Sequence, residues 1–142
     1  MGMHGITKAH RTDVRETPAS VFEPLNREFG FTLDVCATPM NAKCADYFTE
    51  EFDALERPWC GRCWMNPPYS KVGVWVRKAY EESLRGCLVV CLVPSATDTK
   101  WWHTYAVRGE IRFVKGRIKF VGEQASAPFP SAIIIFRPPQ CI

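Results

Sequence analysis

The sequence contains no apolar run approaching the ~20 residues that a membrane-spanning helix requires, and no apolar stretch follows Met1 to Gly5. Those two absences predict no membrane segment and no secretory signal, and the expectation is a soluble, cytoplasmic protein. Internal repeats and low-complexity segments are also missing. Excess charge is small: a net +3 permits a polyanionic partner without demanding one. A second C-x-x-C pair is absent too. Cys60-Gly61-Arg62-Cys63 stands alone; Cys36 and Cys44 could complete four zinc ligands, but Cys36 and Cys63 belong to other segments, a loop and a strand. The expectation is therefore no metal, with the seven cysteines reduced and Cys87 and Cys91 inside a buried strand.

What is present is a chain of 142 residues, 46% of them apolar, which is enough for one globular domain with its own core. Residues 1–15 are polar and aperiodic, with Lys8, His10, Arg11 and Arg15, and read as a flexible basic arm. Residues 16–142 read as the single domain.

The most informative stretch is Cys63-Trp64-Met65-Asn66-Pro67-Pro68-Tyr69-Ser70. Three apolar or soft residues suit a buried strand end, and two prolines then forbid continuation as helix or ladder. Asn66 is left at a strand tip, beside a Pro67 carbonyl held by a fixed φ, with an aromatic ring close behind. A planar amide oxygen, a main-chain acceptor and a stacking face suit a planar substrate carrying an exocyclic amine.

Around this stretch the periodicities alternate. Thr17 reads as an N-cap with Pro18 at the first helical position, Val21, Phe22, Leu25 and Phe29 as the apolar stripe, and Gly30 as the stop. Phe31 to Val35 reads as a short strand carrying Asp34, 41–48 as a short helix, and 52–55 as a strand end or turn. Lys71 to Arg85 reads as an amphipathic helix and Cys87 to Val93 as the next strand, which makes a βαβ unit. Another helix begins near Trp101, where His103 is either structural or a general base. Ile111 to Val114 and Arg117 to Phe120 read as strand pieces joined at Gly116, and Ala132 to Phe136 as the last, fully apolar strand. Arg117 and Lys119 either track phosphates or form a solvated face, and Phe120 either stacks on an extruded base or packs in a half-buried ribbon.

Asn66-Pro67-Pro68-Tyr69 resembles the fourth motif of the amino-methyltransferases that use S-adenosylmethionine. With Thr17-Pro18, Leu33-Asp34-Val35-Cys36-Ala37, Asp53-Ala54-Leu55, Trp59, Gly116 to Phe120 and Pro128-Phe129-Pro130-Ser131 in this order, the chain is similar to phage-type, Dam-like DNA N6-adenine methyltransferases. The resemblance implies a compact Rossmann-like α/β sheet, mostly parallel with antiparallel late strands and helices on both faces. It implies Asn66, Pro67, Pro68 and Tyr69 as catalytic residues, and Thr17, Asp34, Cys36, Ala37 and Asp53 as cofactor contacts. Tyr69, Ser70, Arg117, Lys119 and Phe120 would meet the substrate, double-stranded DNA with the adenine flipped out. The loop after Asp34 departs from the family in lacking glycine, and Asp53 is equally readable as a solvated acid among Glu50, Glu51 and Glu56. A glutamine-amide methyltransferase shares the tetrad, and a silent DNA-binding module or a zinc-binding domain are further alternatives. No separate recognition domain fits, so selectivity would come from short loops or from a second subunit in a homodimer.

Overall fold

The structure, a computed structural model, describes residues 15–140, so all of the basic arm except Arg15 lies outside the described residues. Strands β1 (Leu33–Asp34), β2 (Asp46–Tyr47), β3 (Arg62–Met65), β4 (Leu88–Pro94), β5 (Glu110–Phe113) and β6 (Ser131–Phe136) form one sheet in the order β2-β1-β3-β4-β6-β5. The pairs β1/β2, β1/β3 and β3/β4 are parallel, and β6 runs against both β4 and β5. The result is a Rossmann-like methyltransferase sheet with one reversed strand.

Helices α1 (Ala19–Phe29), α2 (Val72–Leu84) and α3 (Lys100–Thr104) cover it. The strands are apolar on both faces, as covered parallel strands must be. Along β4, Val89, Cys91 and Val93 pack with α2 residues Val72, Val76 and Ala79, and with Trp102. Val90 and Leu92 point the other way, toward Phe22 and Leu25 of α1 and toward Ile118 and Phe120. Trp64 joins this second core while its neighbours Cys63 and Met65 join the first. The period-2 alternation thus builds two cores and leaves the carboxyl ends of β1, β3 and β4 along one edge.

Four local expectations are corrected. Thr17 does not cap α1; the cap position falls on Pro18, whose carbonyl takes the Val21 and Phe22 amides, and the Thr17 hydroxyl is engaged elsewhere. The strand read over Phe31 to Val35 shortens to Leu33–Asp34 because Gly30 turns at φ +63° and the Asn26 side chain accepts from the Phe31 amide at 2.9 Å.

No helix forms over 41–48. Asn41 Oδ1 accepts from the Thr38 amide at 2.7 Å and Asp34 Oδ2 from the Lys43 amide at 3.0 Å, so side chains claim the donors a helix would use, and β2 follows. Residues 117–120 are not a strand paired with β5, because the six fully buried residues of β6 take that edge. Ile118 and Phe120 still bury themselves, and the Ile118 carbonyl accepts from the Ala127 amide.

Candidate active site

At the carboxyl end of β3 the chain runs through Asn66, Pro67 and Pro68 into a single 3-10 turn, Tyr69–Lys71, that feeds α2. The Lys71 amide donates to the Pro68 carbonyl at 3.0 Å. On one side the Val35 amide donates to the Trp64 carbonyl at 3.1 Å, which carries the β1 loop past Asn66.

The Asn66 amide is oriented from behind. Its Nδ2 donates to the main-chain carbonyl of Arg15 and, at 3.1 Å, to the Thr17 hydroxyl. A carbonyl can only accept, so the amino half must face Arg15 and Oδ1 must face away from it. That oxygen is buried and has no hydrogen-bond partner among the described residues. An unmet buried acceptor costs about 1–3 kcal/mol, so a donor brought beside this oxygen would be held there.

Asn66 also stands on the wall of a cavity of about 430 Å³, within the usual range for small-ligand sites. Val35 to Pro39 form one side, and the two turns Glu50–Phe52 and Ala54–Glu56 form another. The Asp34 carboxylate holds the first of these walls, accepting from the Cys36 amide at 3.2 Å and from Lys43. Burial pushes its pKa up to about 6 against those two amides and the Lys43 charge. Desolvation, followed by the neighbouring Asp34, raises the Cys36 thiol well above its ordinary range, so it is a protonated, small wall residue.

Asp53 holds the second wall. It sits at φ +60°, the left-handed conformation, joining two consecutive 3-10 turns, with the Ala54 carbonyl behind it taking the Trp59 indole N–H at 2.9 Å. The cavity thus combines the apolar surfaces of Val35, Phe48, Leu55 and Trp75 with the carboxylates of Glu50, Glu51 and Asp53. A nucleoside needs just such a mix, flat apolar cover for the base and acceptors for ribose hydroxyls, so the residues fit S-adenosylmethionine.

The structure gathers most, but not all, of the residues singled out from sequence. Cys36, Ala37, Asp53, Asn66 and Pro68 line the large cavity, while Thr17, Asp34, Cys36 and Asn66 meet in a recess of about 20 Å³ beside it. Pro67 is buried behind them. Tyr69 does not line the cavity; its ring meets Phe120 at 6.0 Å and Phe129 at 5.5 Å, both edge to face. Phe120 is only 1% exposed, so the open stacking platform expected at this position is a wall within packed structure.

Arg117 and Lys119 are exposed and lie outside both cavities, and Ser70 is exposed on the turn after Pro68. His103 is exposed too, its ring bonded to the Thr97 carbonyl at 2.7 Å. Among the described residues, no group of three or more His, Cys, Asp or Glu is placed to hold a metal, and no helix is long and apolar enough to cross a membrane. Sequence reasoning gave Phe129 no role beyond its place in the Pro128-Phe129-Pro130-Ser131 segment, and read Arg15 only as arm charge, missing its main-chain contact with Asn66. The Pro128-Phe129-Pro130 pattern, a large ring fixed between prolines, was the available signal for the first.

A mostly parallel sheet with a reversed last strand, an oriented amide at a strand tip and a nucleoside-sized cavity beside it define a Rossmann-like methyltransferase domain. Comparison with known proteins narrows this. The chain belongs to the DNA N-6-adenine-methyltransferase (Dam) family, whose model matches residues 4–139. It is 34% identical over 144 residues to a DNA N-6-adenine-methyltransferase of Haemophilus phage HP1 (strain HP1c1), covering 93% of this chain and 83% of that protein. It is 32% identical over 94 residues to the protein of the same description from Escherichia phage T1, covering 63% of this chain and 39% of the relative. A 65-residue segment is 40% identical to the putative methyltransferase YfdM of Escherichia coli (strain K12), covering 40% of this chain and 71% of that protein.

Proposed function

We propose that the protein transfers a methyl group from S-adenosylmethionine to the N6 amine of adenine in double-stranded DNA, with the target base swung out of the helix. The observation that carries this reading is the buried Oδ1 of Asn66, without a partner among the described residues and held in one orientation at the wall of a nucleoside-sized cavity. An N6 amine is inaccessible inside a duplex, so extrusion is part of the reading.

The chain's own residues supply acceptors and alignment. Asn66 Oδ1 and the Pro67 carbonyl accept hydrogen bonds from the amine, which draws the nitrogen toward tetrahedral geometry and frees its lone pair; as the new C–N bond forms and the methyl–sulfur bond breaks, one amine proton leaves to solvent. S-adenosylmethionine, when bound, supplies an already activated methyl group, so no strong base is required. Val35, Phe48 and Trp75 would supply apolar cover for the cofactor's base, and Asp53 a polar acceptor for it. Asp34 holds the loop after β1 through the Cys36 and Lys43 amides and would in this way shape the pocket for the cofactor's amino-acid end. Arg117 and Lys119 lie on an exposed segment and serve as phosphate contacts. Site selectivity resides in the loops at 95–99 and 121–130 or in a second subunit.

The test is calorimetric titration of the full chain with S-adenosylmethionine. Mass spectrometry of nucleosides from DNA of mixed sequence, incubated with protein and cofactor, then identifies the product. N6-methyladenine is the expected product. Transfer of label to a glutamine amide in protein substrates, with DNA unmodified, would assign the same tetrad to the other acceptor class. Absence of cofactor binding would leave only a DNA-binding module.

A further inference from the structure

Arg15 stands where three rings meet. Its guanidinium carbon lies 5.8 Å from the Tyr69 centroid, 5.9 Å from Phe120 and 5.3 Å from Phe129. Because Tyr69 meets the other two edge to face, the rings stand as walls around the guanidinium instead of stacking on one another. The Arg15 side chain is 16% exposed, and its charge has Glu123 as a partner at 3.4 Å, across a side chain that is 48% exposed.

The polar atoms around the guanidinium are poorly matched. Arg15 Nε and the Tyr69 hydroxyl, and with them Asn66 Oδ1 of the neighbouring cavity wall, are buried without a hydrogen-bond partner among the described residues. A permanent structural arginine normally has its donors satisfied, since withdrawing a cation from water is costly. A flat group with a π face and polar edges matches these surroundings better: the rings would cover its faces while hydroxyl and amide meet its rim. A guanidinium is an approximate stand-in for such a group, being planar, polar at its edge and content to stack.

We propose that the cage of Tyr69, Phe120 and Phe129 is the seat of the extruded base, with Phe129 as its third wall, and that the Arg15 guanidinium fills it until the base displaces it. This rests on the adenine-transfer reading above and adds two residues to it. The two ends of Arg15 then have separate tasks. Its main-chain carbonyl keeps Asn66 oriented whether or not the side chain is in the cage. Rotation of the side chain alone opens the seat and leaves the acceptor in place. Once outside, the guanidinium is at the mouth of a site that DNA covers, where a phosphate replaces the rings as its partner. Exchange of cation for base therefore leaves neither group unpaired.

The test uses the full chain, with 2-aminopurine deoxyriboside as a fluorescent probe quenched by stacking. Arg15→Ala keeps the carbonyl and removes the plug, so the probe should bind roughly tenfold more tightly than to the wild type. Phe129→Leu keeps the bulk and loses the ring, and combined with Arg15→Ala it should reverse that gain. An Arg15→Ala affinity equal to or weaker than wild type would overturn the plug, and a double variant as tight as Arg15→Ala would remove Phe129 from the seat. Nucleoside analysis of DNA treated with the wild type is run alongside. N6-methyladenine with an unchanged probe affinity refutes the gate alone, whereas no methylated adenine refutes the functional reading beneath it.

Discussion

The Thr17 hydroxyl accepts from the side-chain amide of Asn66 at 3.1 Å, so a residue ahead of α1 fixes a residue beyond β3 that lies 49 positions later in the chain. Thr17 is 1% exposed and cannot exchange this contact for water. Thr17→Val should therefore lower kcat roughly tenfold by loosening the Asn66 acceptor, while Thr17→Ser, which retains the oxygen, stays near wild type. Steady-state kinetics beside calorimetric cofactor titration decides the point: a loss confined to cofactor affinity would mean that the hydroxyl faces the cofactor instead.

Asn66 itself should tolerate no replacement. Asn66→Ala removes the acceptor and should cost on the order of 10²–10³ in kcat, the usual loss for one preorganised polar group at the reacting atom. Asn66→Asp is expected to be as inactive, because a carboxylate oxygen would then face the Arg15 carbonyl where an N–H now donates. Methyl transfer by either variant at wild-type rate would remove Asn66 from the reaction.

Tyr69 separates catalysis from stability. Its hydroxyl is buried without a partner among the described residues, and burial pushes its pKa far above the ordinary phenol range despite the Arg15 charge. Tyr69→Phe deletes an unmet group and should leave the fold unharmed or stabilise it by about 1 kcal/mol. Tyr69→Ala is different: the ring packs against both cores, so truncation should cost roughly 3 kcal/mol as well as activity. Urea denaturation of the two variants checks both signs. An intact fold in Tyr69→Ala, which position on a loop alone would predict, would show that the ring carries little packing.

How far the chain could be read from its residues depended on the range of the forces involved. The tetrad, the βαβ unit from β3 to β4 and the apolar β6 were legible because proline geometry and side-chain periodicity act over a few residues. Segment 41–48 was not, since its conformation is dictated by the Asp34 carboxylate reaching the Lys43 amide. Likewise Arg117 to Phe120 alternates as a strand would, yet a more apolar competitor far along the chain took its pairing edge. The engagement of Arg15 depends on three rings brought together only by the finished fold.

Asp53 combines strain with position. A non-glycine residue at φ +60° on a cavity wall is tolerated by aspartate better than by most side chains, yet it still carries a conformational cost. Asp53→Gly should relieve that cost and raise stability by about 0.5–1 kcal/mol, while weakening cofactor binding through loss of the carboxylate. Asp53→Asn keeps the backbone preference and loses only the charge. Equal loss of affinity in both variants would assign the carboxylate to binding. Loss in Asp53→Gly alone would mean that the loop geometry is what matters.

Asp34 makes stability depend on pH in an unusual direction. It is 2% exposed, and burial, outweighing the amides of Lys43 and Cys36, lifts its pKa from 3.8 to about 6. Between those values the native state holds a proton that the unfolded chain has released, so the free energy of unfolding falls as pH rises through the window. Above pH 6 the cost is complete, at most about 3 kcal/mol for a shift of this size. Urea unfolding of wild type and Asp34→Asn from about pH 4 to 7.5 should show the wild type losing ground to the variant between pH 3.8 and about 6 and levelling off above that. A difference that stays flat would mean that the two loop amides already offset the burial. The recess beside this carboxylate also reaches Asn66, so a ligand ammonium seated there would favour the ionised form and lower the pKa. S-adenosylmethionine affinity is then expected to strengthen from about pH 5 to 7, with proton release detectable by calorimetry in buffers of different ionisation heat. A pH-independent affinity would place the amino-acid end of the cofactor away from Asp34.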